Sequence, residues 1–150
     1  MTSDKNREEL LRRMEEAFLA GHHCSEVVFV HIGACLIEDF DVGLMRLATG
    51  FGGGIAEEAD VCGALAGGVM LIGYLHGRES LSQDQSRYWA LAREYRRRFL
   101  AQLGSTSCMH FTQGSFNPEN HRKCAGVVIC AASILLDLLD LPLRDHAVDN

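Results

Sequence analysis

The sequence predicts an all-α fold, a single-domain helical bundle with four or five principal helices. Three observations carry this reading. Apolar residues recur at helical spacing through most of the chain, no segment alternates apolar and polar residues as a half-buried strand would, and Gly21, Gly50 to Gly54, Gly104 and Pro142 mark breaks between the periodic stretches. With 150 residues, 47% apolar and 23% charged, the chain suits one domain (1–150) with a substantial core. Residues 1–5 and 143–150 are expected to be flexible tails.

Asn6 and Glu9 have capping-box spacing for a first helix that carries Leu10, Leu11, Met14, Phe18 and Leu19 and closes at Gly21. A second helix is expected from about Cys24 to Ile37, with Val27, Val28, His31, Ala34 and Cys35 on one broad face. Asp41 to Gly43 reads as a turn and Leu44 to Ala48 as a short helical piece. The run Gly50-Phe51-Gly52-Gly53-Gly54 reads as a flexible connector. A long apolar helix is expected from roughly Glu57 to His76, with Ala59, Gly63 and Gly67 along one stripe beside Cys62 and Ala64. Two mid-helix glycines cost about 1 kcal/mol each against alanine. Either tight packing or room for a cofactor beside Cys62 must offset that cost.

Ser82 and Gln85 suggest the cap of a further helix with Tyr88, Leu91, Ala92, Tyr95, Phe99 and Leu103 on its inner face, ending at Gly104. Ser105 to Phe116 reads as a loop containing Cys108. Asn117 and Pro118 then supply an N-cap and a first-turn proline for a last helix that runs to about Leu141 and stops at Pro142.

A formal net charge of −6 argues against nucleic acid or an anionic membrane as partner. The basic run from Arg93 to Arg98 reads as a solvated helix face. The charged N-terminus has no apolar signal region behind it. The longest uncharged runs, Val61 to Leu75 and Cys124 to Leu136, fall short of the ~18 residues a membrane span requires. A cytoplasmic location is therefore expected, where six cysteines suggest metal binding or redox chemistry rather than a disulfide frame.

Helix geometry divides the cysteines. Cys35 lies eleven residues beyond Cys24 on one helix, about 16 Å along the axis, and Cys130 points about 120° away from Cys124. Both read as packing residues. Cys24 follows His22 and His23 at a helix start, where the dipole and an imidazolium would favour its thiolate. Cys108 stands in a polar loop with no packing need for sulfur. Cys124 follows His121 by one turn, and Cys62 is embedded in small residues. Thiols from four separate segments that converge would hold a metal or cluster, or cycle between dithiol and disulfide. No C-x-x-C or C-x-x-C-H occurs, which excludes the thioredoxin, zinc-knuckle and c-type haem signatures. No strand precedes the glycine run and no Lys-Ser/Thr pair follows it, as a phosphate-binding loop would require.

From about residue 7 to 140 the chain resembles the C_GCAxxG_C_C family of small four-cysteine proteins, named for a redox-active role. The motif reads Cys62-Gly63-Ala64-Leu65-Ala66-Gly67, and the other family cysteines match Cys24, Cys108 and Cys124. The resemblance implies a redox role for these four thiols. Similar helical domains in multihaem cytochromes carry an iron–sulfur cluster. By that analogy the four cysteines are expected to hold a cluster, [2Fe–2S] foremost, in an electron carrier or redox sensor rather than a self-sufficient enzyme. His22, His23, His110 or His121 would supply the last ligand if only three sulfurs converge. A metal-free thiol–disulfide protein and a zinc-binding or purely structural bundle are the alternatives. A redox partner protein is expected, and the glycine-striped helix is compatible with a homodimer.

Overall fold

The computed structural model describes residues 2–145 and 148; of the expected tails, residues 1, 146, 147, 149 and 150 lie outside the described residues. Every element named among them is helical, and the one β-bridge joins Val61 to Ser107. The expected all-α bundle is what the chain forms. Five long helical segments and two short ones surround one apolar core.

Helix α1 (Thr2–Ala20) begins before the expected cap. Asn6 and Glu9 therefore lie inside it, and Glu9 instead holds Arg12 at 2.7 Å and Arg13 at 2.8 Å. Leu10, Met14 and Phe18 face the core, whereas Leu19 is exposed. Gly21 ends the helix at a φ of 122°, a conformation that favours glycine.

The second helix is continuous in three parts: α2 (Cys24–Glu26), a π-helical turn (Val27–His31) and α3 (Ile32–Leu36). Glu26 is buried at its start and ties the entry together. Its carboxylate accepts from the His23 N–H at 2.8 Å and from the Thr49 hydroxyl at 2.8 Å. The short helix α4 (Met45–Thr49) follows a 3-10 turn, Val42–Leu44, capped by the Asp41 side chain at 2.8 Å.

The expected helix from Glu57 begins only at Gly63, as α5 (Gly63–His76). The reason is backbone handedness. Gly53, Gly54, Ile55, Ala56, Glu57 and Ala59 all have positive φ, between 50° and 74°. A left-handed run cannot continue into a right-handed helix. Its N–H groups turn back instead: Ala56 donates to the Gly50 carbonyl at 2.9 Å and Asp60 to the Gly54 carbonyl at 2.8 Å. Ala59 thus leaves the small-residue stripe, in which Gly63 and Gly67 face α2, while the adjacent Gly68 faces Tyr95.

That stripe is consumed inside the molecule. A β-carbon on Gly67 would lie 2.5 Å from the Ser25 carbonyl oxygen of α2, and one on Gly68 would collide with the Tyr95 ring. Tyr95 and Phe99 belong to α6 (Ser86–Leu103) and are fully buried. The α6 entry is closed by the Asp84 carboxylate on the Ser86 N–H at 3.1 Å, not by side chains of Ser82 or Gln85. Gly104 ends α6 at a φ of 83°. Arg97 and Arg98 bond Glu94 on its outer face, so the basic run is largely an exposed, internally paired surface.

The expected loop at Cys108 contains a short helix, α7 (Cys108–Thr112). The last helix, α8 (Pro118–Leu139), starts as the sequence predicts, with the Asn117 side chain accepting the Asn120 N–H at 2.8 Å. It ends at Asp140, in the left-handed region, short of Pro142. Arg7 fastens α1 to α8 through Asp137 at 2.6 Å and the Ser133 carbonyl at 3.1 Å. No helix among the described residues is long and apolar enough to cross a membrane.

Candidate functional site

Cys24, Cys62, Cys108 and Cys124 come together at one end of the bundle, and local structure explains how. Cys24 opens α2, Cys62 is the residue before α5, Cys108 opens α7, and Cys124 lies in the second turn of α8. Residues 59–62 run alongside 106–109. The Cys62 N–H donates to the Thr106 carbonyl at 2.8 Å, and the Cys108 and Met109 N–H groups donate to Asp60 and Ala59 at 2.6 and 3.2 Å. Two thiols distant in sequence are thereby held side by side.

Glycine permits the remaining approaches. A β-carbon on Gly63 would collide with Cys24 Sγ and lie 2.7 Å from the Phe51 carbonyl oxygen. One on Gly54 would meet Cys108 Cβ at 2.6 Å. The left-handed loop is thus the wall against which Cys24 and Cys108 stand. The non-glycine residues in it cost about 1–2 kcal/mol each.

The four thiols share one electrostatic environment. Cys24 interacts with Cys62 and Cys108, Cys62 with Cys108 and Cys124, and Cys124 with Cys24 and Cys108. Burial is the larger influence and pushes Cys24 up to about 12 and Cys62 and Cys124 up to about 11. This corrects the expectation that Cys24 carries a favoured thiolate. Its place at a helix start is outweighed by desolvation and by the neighbouring sulfurs. Two sulfurs nevertheless accept backbone hydrogen bonds, Cys24 from Gly53 and Ser25, and Cys62 from Leu65 and Ala64. The Thr112 hydroxyl lies 3.8 Å from Cys108 Sγ.

Above these sulfurs lies a cavity of about 240 Å³. Cys24, Cys108 and Cys124 line it, whereas Cys62 is buried outside its lining. His22, His23 and His121 line it as well. His110 does not; it is exposed on α7 and packs edge-on to Phe111 at 5.0 Å. The His121 ring stacks on Phe18 with centroids 4.2 Å apart, and its Nε2 lies 2.8 Å from the Phe18 carbonyl oxygen. Nε2 therefore carries the proton and donates, which leaves Nδ1 as the free nitrogen. Ala64 is fully buried, and its carbonyl faces the Tyr95 hydroxyl at 3.4 Å.

Sequence reasoning did not find Phe18, Gly53, Glu57, Thr112, Phe116 or Asn120 as cavity residues. Asn120 offered one clue, since it sits one turn before Cys124. Glu57 was hidden by the helix expected at its position. Cys35 is buried as expected, whereas Cys130 is half-buried, with Sγ 3.5 Å from a Gln102 side-chain oxygen.

A soft metal or cluster meets suitable donor chemistry here: four sulfurs from four segments, two of them already hydrogen-bonded by backbone N–H groups. The set is not closed. Among the described residues, no group of three or more His, Cys, Asp or Glu side chains stands in a metal-holding arrangement.

A family described as "Putative redox-active protein (C_GCAxxG_C_C)" matches residues 22–138, a stretch that contains all four converging thiols. An uncharacterized protein of Archaeoglobus fulgidus is 27% identical over 147 residues, covering 88% of this chain and 94% of its own. No solved structure matches. The chain belongs to the C_GCAxxG_C_C family.

Proposed function

We propose that Cys24, Cys62, Cys108 and Cys124 form a redox centre that holds an iron–sulfur cluster, [2Fe–2S] foremost, and that the protein serves as an electron carrier or redox sensor for a partner protein. The observation that carries this reading is the electrostatic proximity of four thiols, three of them lining one cavity and Cys62 buried beside it. Neighbouring sulfurs raise the pKa of Cys24, Cys62 and Cys124, so the ionised thiols would be held against repulsion, and a bound cation reverses that penalty. The cluster would supply one-electron chemistry. The chain's own part is to bring the sulfurs together, exclude water from Cys62, and direct the Gly53, Ser25, Leu65 and Ala64 N–H groups at sulfur, which raises a cluster's potential. His22, His23 and His121 line the cavity and are the candidates to replace one sulfur, whereas His110 does not line it.

The test is protein produced and purified without oxygen, assayed for iron, acid-labile sulfide and visible absorption. Stoichiometric iron and sulfide that fall in each Cys→Ser variant of the four are expected. Colourless protein without either removes the proposal, and tightly bound zinc in their place supports the structural-metal alternative.

A second reading has its own support. All four cysteines are free thiols, as a metal-free centre that forms a reversible disulfide between two of them requires. The raised pKa values oppose rapid exchange near neutrality. Thiol titration before and after mild oxidation separates the readings: loss of two thiols without aggregation supports the disulfide, and no change counts against it.

A further inference from the structure

We propose that the cavity over the thiols binds a small planar aromatic molecule of the quinone–hydroquinone class. The inference takes its purpose from the redox reading above, as the substrate class of that centre, but its test does not depend on a cluster.

Size is the first argument. A cavity of about 150 Å³ lined by apolar side chains admits benzene, and this one is about 240 Å³. A single substituted ring fits that space. The wall is the second argument. His121 lies against Phe18 at 4.2 Å with only 19° between the rings, and its Nε2 bond to the Phe18 carbonyl holds it there. One flat aromatic face is therefore preset before any ligand arrives. Phe116, 41% exposed, lines the same cavity, a large ring left partly in water where a second stacking surface is useful.

Polar chemistry narrows the class. Asn120 commits its side-chain N–H groups to the Thr112 and Ser115 carbonyls, both at 2.8 Å, which leaves its oxygen as an acceptor. Glu57 adds a carboxylate, a second acceptor. His22 and His23 can each donate or accept. A ring with oxygens at opposite ends, accepting when oxidised and donating when reduced, matches a lining that offers both roles. Three thiols on the same cavity place the centre beside such a ring.

The test is titration of the whole, reduced protein under anaerobic conditions with tetramethylhydroquinone, a probe that is already reduced and whose substituted ring carbons resist thiol addition. Binding is followed by NMR chemical shifts. Saturable one-site binding is expected, with shifts centred on Phe18, Phe116, Asn120 and His121. Phe116→Ala should weaken it about tenfold, and Phe116→Leu, which keeps the apolar bulk without the ring, should also weaken it; either variant suffices if its amide spectrum shows a folded protein. The non-aromatic 1,4-cyclohexanediol should bind at least tenfold more weakly. Absence of saturable binding, shifts elsewhere, equal affinity for the diol, or folded variants of Phe116 with unchanged affinity would each overturn the inference. Iron and sulfide measured on the same sample keep the two proposals apart. A cluster-free protein that binds the probe retains this one alone, and a cluster-bearing protein that ignores the probe retains only the other.

Discussion

Alanine at Gly67 and alanine at Gly126 give the same gain in helix propensity and meet opposite surroundings. Each substitution favours the helix by about 1 kcal/mol. At Gly126, exposed on α8, the new methyl group meets nothing within 4 Å. The variant should therefore be more stable by up to about 1 kcal/mol. At Gly67 the methyl group would lie 2.5 Å from the Ser25 carbonyl oxygen and 3.1 Å from its Cα, where ordinary contact begins near 3.4 Å. The obstacle is backbone, so no side-chain rotation relieves it. Ser25 is itself anchored, fully buried with its hydroxyl on the Ala48 carbonyl at 2.7 Å. Helix α2 would have to retreat by about 0.9 Å. Overpacking of this kind costs about 1–3 kcal/mol, so the net loss should reach about 2 kcal/mol. For a domain of this size 1 kcal/mol moves Tm by about 3 °C. Thermal melts followed by circular dichroism should place Gly67→Ala as much as ~6 °C below the parent and Gly126→Ala as much as ~3 °C above it. A Gly67→Ala protein more stable than the parent, as Gly126→Ala is expected to be, would refute the claim that the small-residue stripe exists for the α2–α5 approach. Cys24 adjoins Ser25, so on the cluster reading proposed above the same variant should also bind iron and sulfide less completely than the parent while still folded.

Three further outcomes follow from single groups. In reduced protein with no metal bound, Cys62 and Cys124 should alkylate about 100-fold more slowly at pH 8 than a thiol of ordinary pKa, because theirs are raised from 9.0 to about 11. Their folded values exceed the unfolded ones, so the stability they contribute is complete below about pH 9 and is lost as pH rises through about 11; denaturation that becomes harder at high pH contradicts this. His31 is buried with Nε2 unpartnered, and burial, then His22 and Arg13, hold its pKa down at about 4. Its contribution is present above pH 6.5 and is lost as pH falls through about 4, a difference of about 3 kcal/mol; His31→Phe should flatten the acid limb, and an unchanged limb would assign it elsewhere. Ile55 holds a φ of 63° in the left-handed loop. Ile55→Gly should relieve about 1–2 kcal/mol of strain against roughly 1 kcal/mol of added chain entropy, and a clear drop in Tm would mean the side chain carries packing that its 44% exposure does not suggest.

Much of the fold was legible because it is local. The 3.6-residue period of Tyr88, Leu91, Tyr95 and Phe99 belongs to α6 whatever surrounds it, and Asn117-Pro118 caps α8 with its own atoms. Helix geometry likewise set Cys35 and Cys130 apart from the other four thiols before any tertiary contact was known. The failures were failures of context. Residues 57–62 contain no glycine or proline to bar a helix start at Glu57, but the preceding backbone is left-handed, and their N–H groups donate to residues 52–55 and 106 instead. The ionisation of Cys24 also had the wrong sign in the sequence reading. A helix start is visible in sequence, whereas burial and three neighbouring sulfurs are not.

The sequence by itself determined a helical bundle, the four cysteines worth attention and the family that carries them, since periodicity, spacing and motif are properties of neighbours along the chain. Only the tertiary structure decided that those sulfurs meet, that Gly63 and Gly54 are the positions where they can, and that His121 joins them while His110 does not. Such contacts depend on the handedness of one loop and on which side chains exclude water. Both are set by the packing of segments far apart in sequence.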